Sequence, residues 1–156
     1  MSLRFGATED GAIVFEDDVL RTFDHFRQRR LWQREAGGQL FARFDGPLTV
    51  IAEATTPTRI DRRWRSAFEP NRQKEQRQID ERFVKGLHFV GDWHTHPEDR
   101  PTPSRTDLHS VQECLRQSKH QLKALVLVIV GRASQPNSVW VGLVSIHGIR
   151  RLHLRE

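Results

Sequence analysis

Only one cysteine, Cys114, stands in the 156 residues, so no disulfide can close within the chain. Long apolar runs are missing too. The longest, Ala124 to Val130, falls far short of the roughly 20 residues that a membrane-spanning helix needs. Met1 to Gly11 is polar and lacks the apolar core of a secretory signal, so a soluble cytoplasmic protein is expected. Repeats and low-complexity segments are also absent. The length fits one ordinary domain, residues 1–156, with a core large enough to need no staples.

Charge is plentiful and unevenly placed. Lysine and arginine number 25 against 20 acids, a formal net of +5. Between Arg59 and Lys85 nine basic residues face five acidic ones, a net of +4 that accounts for most of the total. The helix expected over about Gln73 to Lys85 offers only Ile79 and Phe83 for burial, so it reads as mostly solvated, with partner binding as the second reading. Nucleic acid is an unlikely partner, because five acids interrupt the basic run.

Periodicity supplies the rest of the frame. Val19, Leu20, Phe23 and Phe26 recur at helical spacing behind Glu16 and Asp17, with Arg27, Arg29 and Arg30 near the helix end, in accord with its dipole. Gln33 to Phe44 reads as a strand, turned at Asp45-Gly46-Pro47 into a second strand over Leu48 to Ala54. Ala12 to Phe15 reads as an edge strand, and Thr55 to Pro70 as a long connection. The unbroken apolar run within Lys123 to Val130 fits a central strand covered on both faces, followed by strands over Val139 to Ile146 and Ile149 to Leu154. The sum is an α/β domain: a mixed, curved sheet of about six strands flanked by helices.

One stretch carries chemistry. His94 and His96 stand two apart after an apolar approach, so on a strand both imidazoles share a face while Trp93 and Thr95 take the other. Pro97 ends that strand. Seven residues separate His96 from Ser104, with Pro97, Pro101 and Pro103 stiffening the turn, and Ser104-Arg-Thr-Asp107 then opens an amphipathic helix that runs to about His120. Alone, each half is ordinary: a pair of surface histidines, or a serine cap with an acid three residues on. Together they bring two nitrogens and one carboxylate oxygen to the junction of strand and helix. The expected ligands are therefore His94, His96 and Asp107, holding one Zn2+ per chain with the fourth position open, as catalytic zinc requires. The remaining histidines, His25, His88, His109, His120, His147 and His153, have no such constellation and read as structural or exposed. Cys114, on the amphipathic helix with no partner histidine, reads as an inert thiol.

His-x-His-Pro followed by Ser-x-x-Asp resembles the JAMM signature of the JAB1/MPN/Mov34 metalloprotease family, and Val90-Gly91-Asp92-Trp93 looks like its bacterial branch. Glu35-Ala36-Gly37-Gly38-Gln39-Leu40 supplies the upstream glutamate that the family needs, with Ala42 standing where a glycine is frequent. The resemblance covers about Glu16 to Leu154. It implies a JAB1/MPN fold, with Glu35 as general base and acid and Ser104 donating a hydrogen bond to the oxyanion. Gly37 and Gly38 are expected to leave room for an extended peptide beside Glu35. By resemblance, the activity is that of an isopeptidase cutting after the terminus of a ubiquitin-like modifier or conjugated protein. Its partners would be E1-like and E2-like enzymes of an antiphage conjugation system. Processing of a sulfur carrier or another small protein is the alternative within the same chemistry, and a non-catalytic MPN-like or basic binding module the alternative outside it.

Overall fold

A computed structural model describes residues 2–6, 11–117 and 122–155. Its strands are β1 (Leu3–Phe5), β2 (Ala12–Phe15), β3 (Gly37–Asp45), β4 (Leu48–Ala54), β5 (Arg62–Trp64), β6 (Ala67–Glu69), β7 (His88–Thr95), β8 (Leu125–Val130), β9 (Val139–Ser145), β10 (Gly148–Leu152) and β11 (Leu154–Arg155). Its helices are α1 (Asp17–Phe26), α2 (Arg72–Val84) and α3 (Arg105–Gln117). The four last residues of the helix expected to reach His120 include three that lie outside the described residues, as His120 itself does.

Nine strands form one mixed sheet in the order β10-β9-β8-β7-β3-β4-β2-β1-β11, and β5 and β6 pair separately. The expected count of about six is thus too low. The strands it missed, β1 and β11 at one margin and the β5–β6 hairpin inside the supposed connection, are two or three residues long, too short for a period of two to register. Ala12–Phe15 is no edge: it runs parallel to β4 and antiparallel to β1. Helical crossovers explain the parallel pairs. β7 and β8 run parallel because α3 carries the chain back between them.

Apolar faces sort the helices onto opposite sides. Val19, Leu20 and Phe23 of α1 join Phe15, Ile51 and Trp93 in the core on one face of the sheet. Val111 of α3 packs on Leu125, Leu127, Ile129 and Trp140 on the other. Wholly apolar β8 serves both cores, as its unbroken run predicts: Val126, Val128 and Val130 enter one, Leu125, Leu127 and Ile129 the other. Burying two apolar faces at roughly 25 cal/mol per Å² is what keeps this strand in the interior of the sheet, between β9 and β7. Gly91 lets β7 lie flush against β8, since a Cβ there would sit 1.9 Å from the Val126 carbonyl oxygen.

Helix α2 is mostly solvated, as expected, but the side chains it buries are not the expected ones. Lys74 and Glu75 are buried, while Phe83, offered for burial, is exposed. Lys74 pairs with Asp61, whose carboxylate also accepts from the Thr58 and Asn71 amides at 2.8 Å each. This buried ion pair ties α2 to the root of the β5–β6 hairpin.

Candidate metal centre

β7 brings the histidines to the α3 side of the sheet by simple alternation: Trp93 and Thr95 turn inward, the latter bonded at its hydroxyl to the Ala36 amide at 3.0 Å. Trp93 is 1% exposed and anchors β7 to the next connection, its indole N–H donating to the Thr55 carbonyl at 2.9 Å. His94 and His96 are left facing the first turn of α3. There Ser104 and Asp107 cap each other: the Ser104 amide donates to Asp107 Oδ2 at 2.8 Å, and the Asp107 amide to Ser104 Oγ at 3.1 Å. That reciprocal pair uses the serine as acceptor and leaves its hydroxyl proton unspent.

The expected ligand atoms converge. His94 Nε2 and His96 Nε2 lie 3.1 Å apart, His94 Nε2 lies 3.2 Å from Asp107 Oδ1, and His96 Nε2 lies 3.2 Å from Asp107 Oδ2. A tetrahedral site with bonds of about 2.0–2.1 Å has ligand edges of roughly 3.3 Å, so this donor set fits a zinc-sized ion. Among the described residues these three form a group able to hold a metal ion. Glu98, unremarked in the sequence, sits with Oε1 3.1 Å from His96 Nδ1. Accepting that ring proton fixes the tautomer that frees Nε2 for a cation. Burial would raise the Asp107 carboxyl, yet hydrogen bonds from His94 and His96 hold it far below the usual range. The triangle is therefore ready to bind as a charged ligand.

Glu35 stands in the same cavity, of about 680 Å³, as His94, His96, Ser104 and Asp107. It precedes β3 rather than riding on it, since the strand begins only at Gly37. Its place comes from neighbours far away in sequence: its amide donates to the Trp64 carbonyl at 2.6 Å, and Arg63 Nε donates to its carbonyl at 2.8 Å. Gln28, fully buried, closes the lattice by donating to the carbonyls of Gln33 and Arg65 while accepting from the Thr95 hydroxyl. Nothing in the sequence around Gln28 signals this. With Glu35 only 5% exposed, burial pushes its carboxyl up to about 7 against the pull of His96, and Asp107 and Glu98 add to the rise. A carboxyl poised near neutrality suits proton transfer in both directions.

Two expectations need correction here. A Cβ on Gly37 would lie 2.7 Å from Phe68 Cδ1 and one on Gly38 2.1 Å from the Thr55 carbonyl oxygen, so these glycines admit the protein's own chain, not a peptide. Arg72 and Lys74, counted in the basic surface, are already paired with Glu75 and Asp61. The other histidines agree with their reading: His25, His109, His147 and His153 are exposed, and His88 lies against the rings of Phe44 and Phe83. Cys114 is half-buried in the wall of a groove beside α3 and forms no disulfide.

A mixed α/β sheet that presents two histidines at the end of one strand and an aspartate at the start of the crossover helix defines a class of domain with a three-ligand metal site. The chain belongs to the prokaryotic homologues of the JAB domain, whose family model matches residues 19–142. It is 31% identical over 145 residues to a CD-NTase/cGAS isopeptidase of Vibrio cholerae serotype O1, covering 91% of this chain and 88% of that one. A protein of the same name from Pseudomonas aeruginosa is 33% identical over 133 residues, covering 83% and 81%. Among solved structures, a protein of Desulfitobacterium hafniense superposes with a TM-score of 0.64 at 18% identity, covering 88% of this chain and 87% of the other. A JAB1/MPN domain protein from Archaeoglobus fulgidus gives 0.50 at 16%, covering 89% and 94%. These two likenesses concern the fold alone. No described helix is long and apolar enough to cross a membrane.

Proposed function

We propose that this protein is a zinc-dependent isopeptidase that hydrolyses the amide between the carboxyl terminus of a conjugated protein and a lysine of its target. The carrying observation is the convergence of His94 Nε2, His96 Nε2 and both Asp107 oxygens within 3.2 Å, in one cavity with Glu35 and Ser104. The name shared by the relatives supports a CD-NTase as the conjugated protein; E1-like and E2-like partners in an antiphage system follow from the family resemblance and belong to the same proposal. When bound, zinc supplies a Lewis acid that polarises the scissile carbonyl and makes water more acidic. Glu35 accepts the proton from the attacking water. The Ser104 hydroxyl donates to the carbonyl oxygen as it gains charge, a role its cap leaves open. Glu35 then returns the proton to the lysine nitrogen as the C–N bond breaks, releasing a free carboxylate and an amine. The Phe68 ring, packed over Gly37 in the cavity that Glu35 also lines, favours glycine or alanine as the last residue of the acyl side.

Two measurements test this reading. Elemental analysis should find about one zinc per chain, lost in a His94→Ala, His96→Ala double variant; full occupancy in that variant would put the site elsewhere. A fusion of a ubiquitin-like domain ending in Gly or Ala to a downstream protein should be cut at the junction, and little when that residue is Leu. Scattered cuts through unfolded casein with the junction intact would instead make it a general peptidase.

A further inference from the structure

The metal-site cavity does not end at the ligands. It runs on into a second, larger one of about 1280 Å³, and the two share Arg72, Glu75, Asp92 and Ser110, which form a neck between them. The neck is unusually polar inside. Glu75 is buried on α2, Asp92 lies on β7, and Arg72, whose guanidinium is the one shared by both linings among the described residues, bonds Glu75 at 2.7 Å from an exposed position at the rim. Opposite Asp92 in the β3–β7 register stands Gln39, 2% exposed, which lines the same cavity and whose Oε1 has no partner among the described residues. Among the described residues, two carboxyl groups and an unmet carboxamide thus gather beside one guanidinium. A buried acceptor without a donor is destabilising, and a ligand rich in N–H groups would satisfy it.

Resting on the isopeptidase reading above, we propose that this neck is a subsite for one basic side chain of the conjugated protein's terminal segment, two residues before the last. The position follows from strand geometry. Asp92 and His94 are alternate residues of β7 on one face, roughly 6.6–6.8 Å apart, which is also the repeat of an extended peptide lying along it. A segment with its final carbonyl at the metal ligands thus sets its third-last side chain over Asp92. The direction follows from the chemistry of the bond: the acyl side must arrive as an extended terminus, whereas the amine side is a lysine on a folded surface. Only the extended terminus can continue into the second cavity, whose walls of Phe89, Ile79 and Leu87 suit apolar residues further back.

The experiment uses the full-length zinc-loaded protein and fusions with Arg, Lys or Gln placed in turn at the second, third and fourth residue from the end of the acyl segment. Arg or Lys at the third-last position should lower KM about tenfold relative to Gln, and not at the flanking positions. The Gln-to-Arg ratio of KM should fall to within about twofold of unity in Glu75→Gln and should rise in Gln39→Glu. Equal KM across the scan with efficient cleavage would overturn this subsite and leave the isopeptidase reading standing. A preference that survives Glu75→Gln would also overturn it. Failure to cut any fusion would overturn both. The scan on the unaltered protein decides the matter even if a variant fails to fold.

Discussion

Glu35 shows how one side chain is tuned by where its backbone is pinned. Burial raises its carboxyl from the ordinary 4.5 to about 7, so the folded protein holds the proton more tightly than the unfolded chain does between those values. Stability from this group is fully present below pH 4.5 and is lost as pH rises through about 7. In metal-free protein, Glu35→Gln should accordingly be more stable than the parent at pH 8, by up to about 3 kcal/mol, with the gap closing near pH 4. Urea unfolding at the two pH values measures it; an equal gap at both would deny the raised carboxyl. In zinc-loaded protein Glu35→Gln should retain the metal and lose at least about 100-fold in kcat, because it is assigned proton transfer and not ligation. Loss of zinc from that variant would make Glu35 a ligand. The parent's kcat/KM should fall on an acid limb at or below about pH 7, since a bound cation favours the charged carboxylate.

Among the elements, the β5–β6 hairpin matters most, although it makes no strand of the main sheet. It holds Glu35 through the Trp64 carbonyl and Arg63, and it is itself held by Asp61, which faces Lys74 of α2. Removing one partner of a buried ion pair strands the other. Asp61→Asn should therefore cost about 3–5 kcal/mol of stability and depress kcat through misplacement of Glu35. Adding Lys74→Met should restore much of both, because it removes the buried ammonium that Asp61→Asn leaves without a counter-charge. Denaturant midpoints and turnover of the single and double variants decide it: a double variant as unstable as the single would show that the pair is not the hairpin's anchor. Element α3 has a simpler logic. Its Ser104 and Asp107 satisfy each other's amides at the helix start and thereby aim the carboxylate at the histidines.

For the whole molecule, charge is the long-range property. After Arg72 and Lys74 are set aside as paired, Arg59, Arg62, Arg77 and Lys85 remain exposed on the segment from Arg59 to Lys85. Such a surface attracts an acidic partner and is screened by salt. KM for a folded conjugate should rise as ionic strength goes from about 0.01 to 0.5 M, and reversal of Arg59, Arg62 and Arg77 to glutamate should raise it about three- to tenfold at low salt. An unchanged KM in the triple variant would remove this surface from substrate binding.

The sequence by itself determined which three side chains converge, His94, His96 and Asp107, and the elements that carry them, because those depend on spacing alone. Alternation on a strand puts His94 and His96 on one face, a capping pair puts Asp107 in the first turn of the next helix, and a short proline-stiffened turn leaves the two units side by side. The unbroken apolar run of β8 declared a central strand for the same local reason. Only the tertiary structure decided how Glu35 joins them. Its backbone is held by Trp64 and Arg63, some thirty residues distant, and its loop by Gln28, which ties it to Arg65; these hydrogen bonds leave no period or motif in the chain. The roles of Gly37 and Gly38 were likewise settled by Phe68 and Thr55 packing over them, and the burial of Lys74 and Glu75 by a hairpin too short to be read. Local rules place a side chain on a face. Which distant residue covers that face depends on how the whole sheet closes.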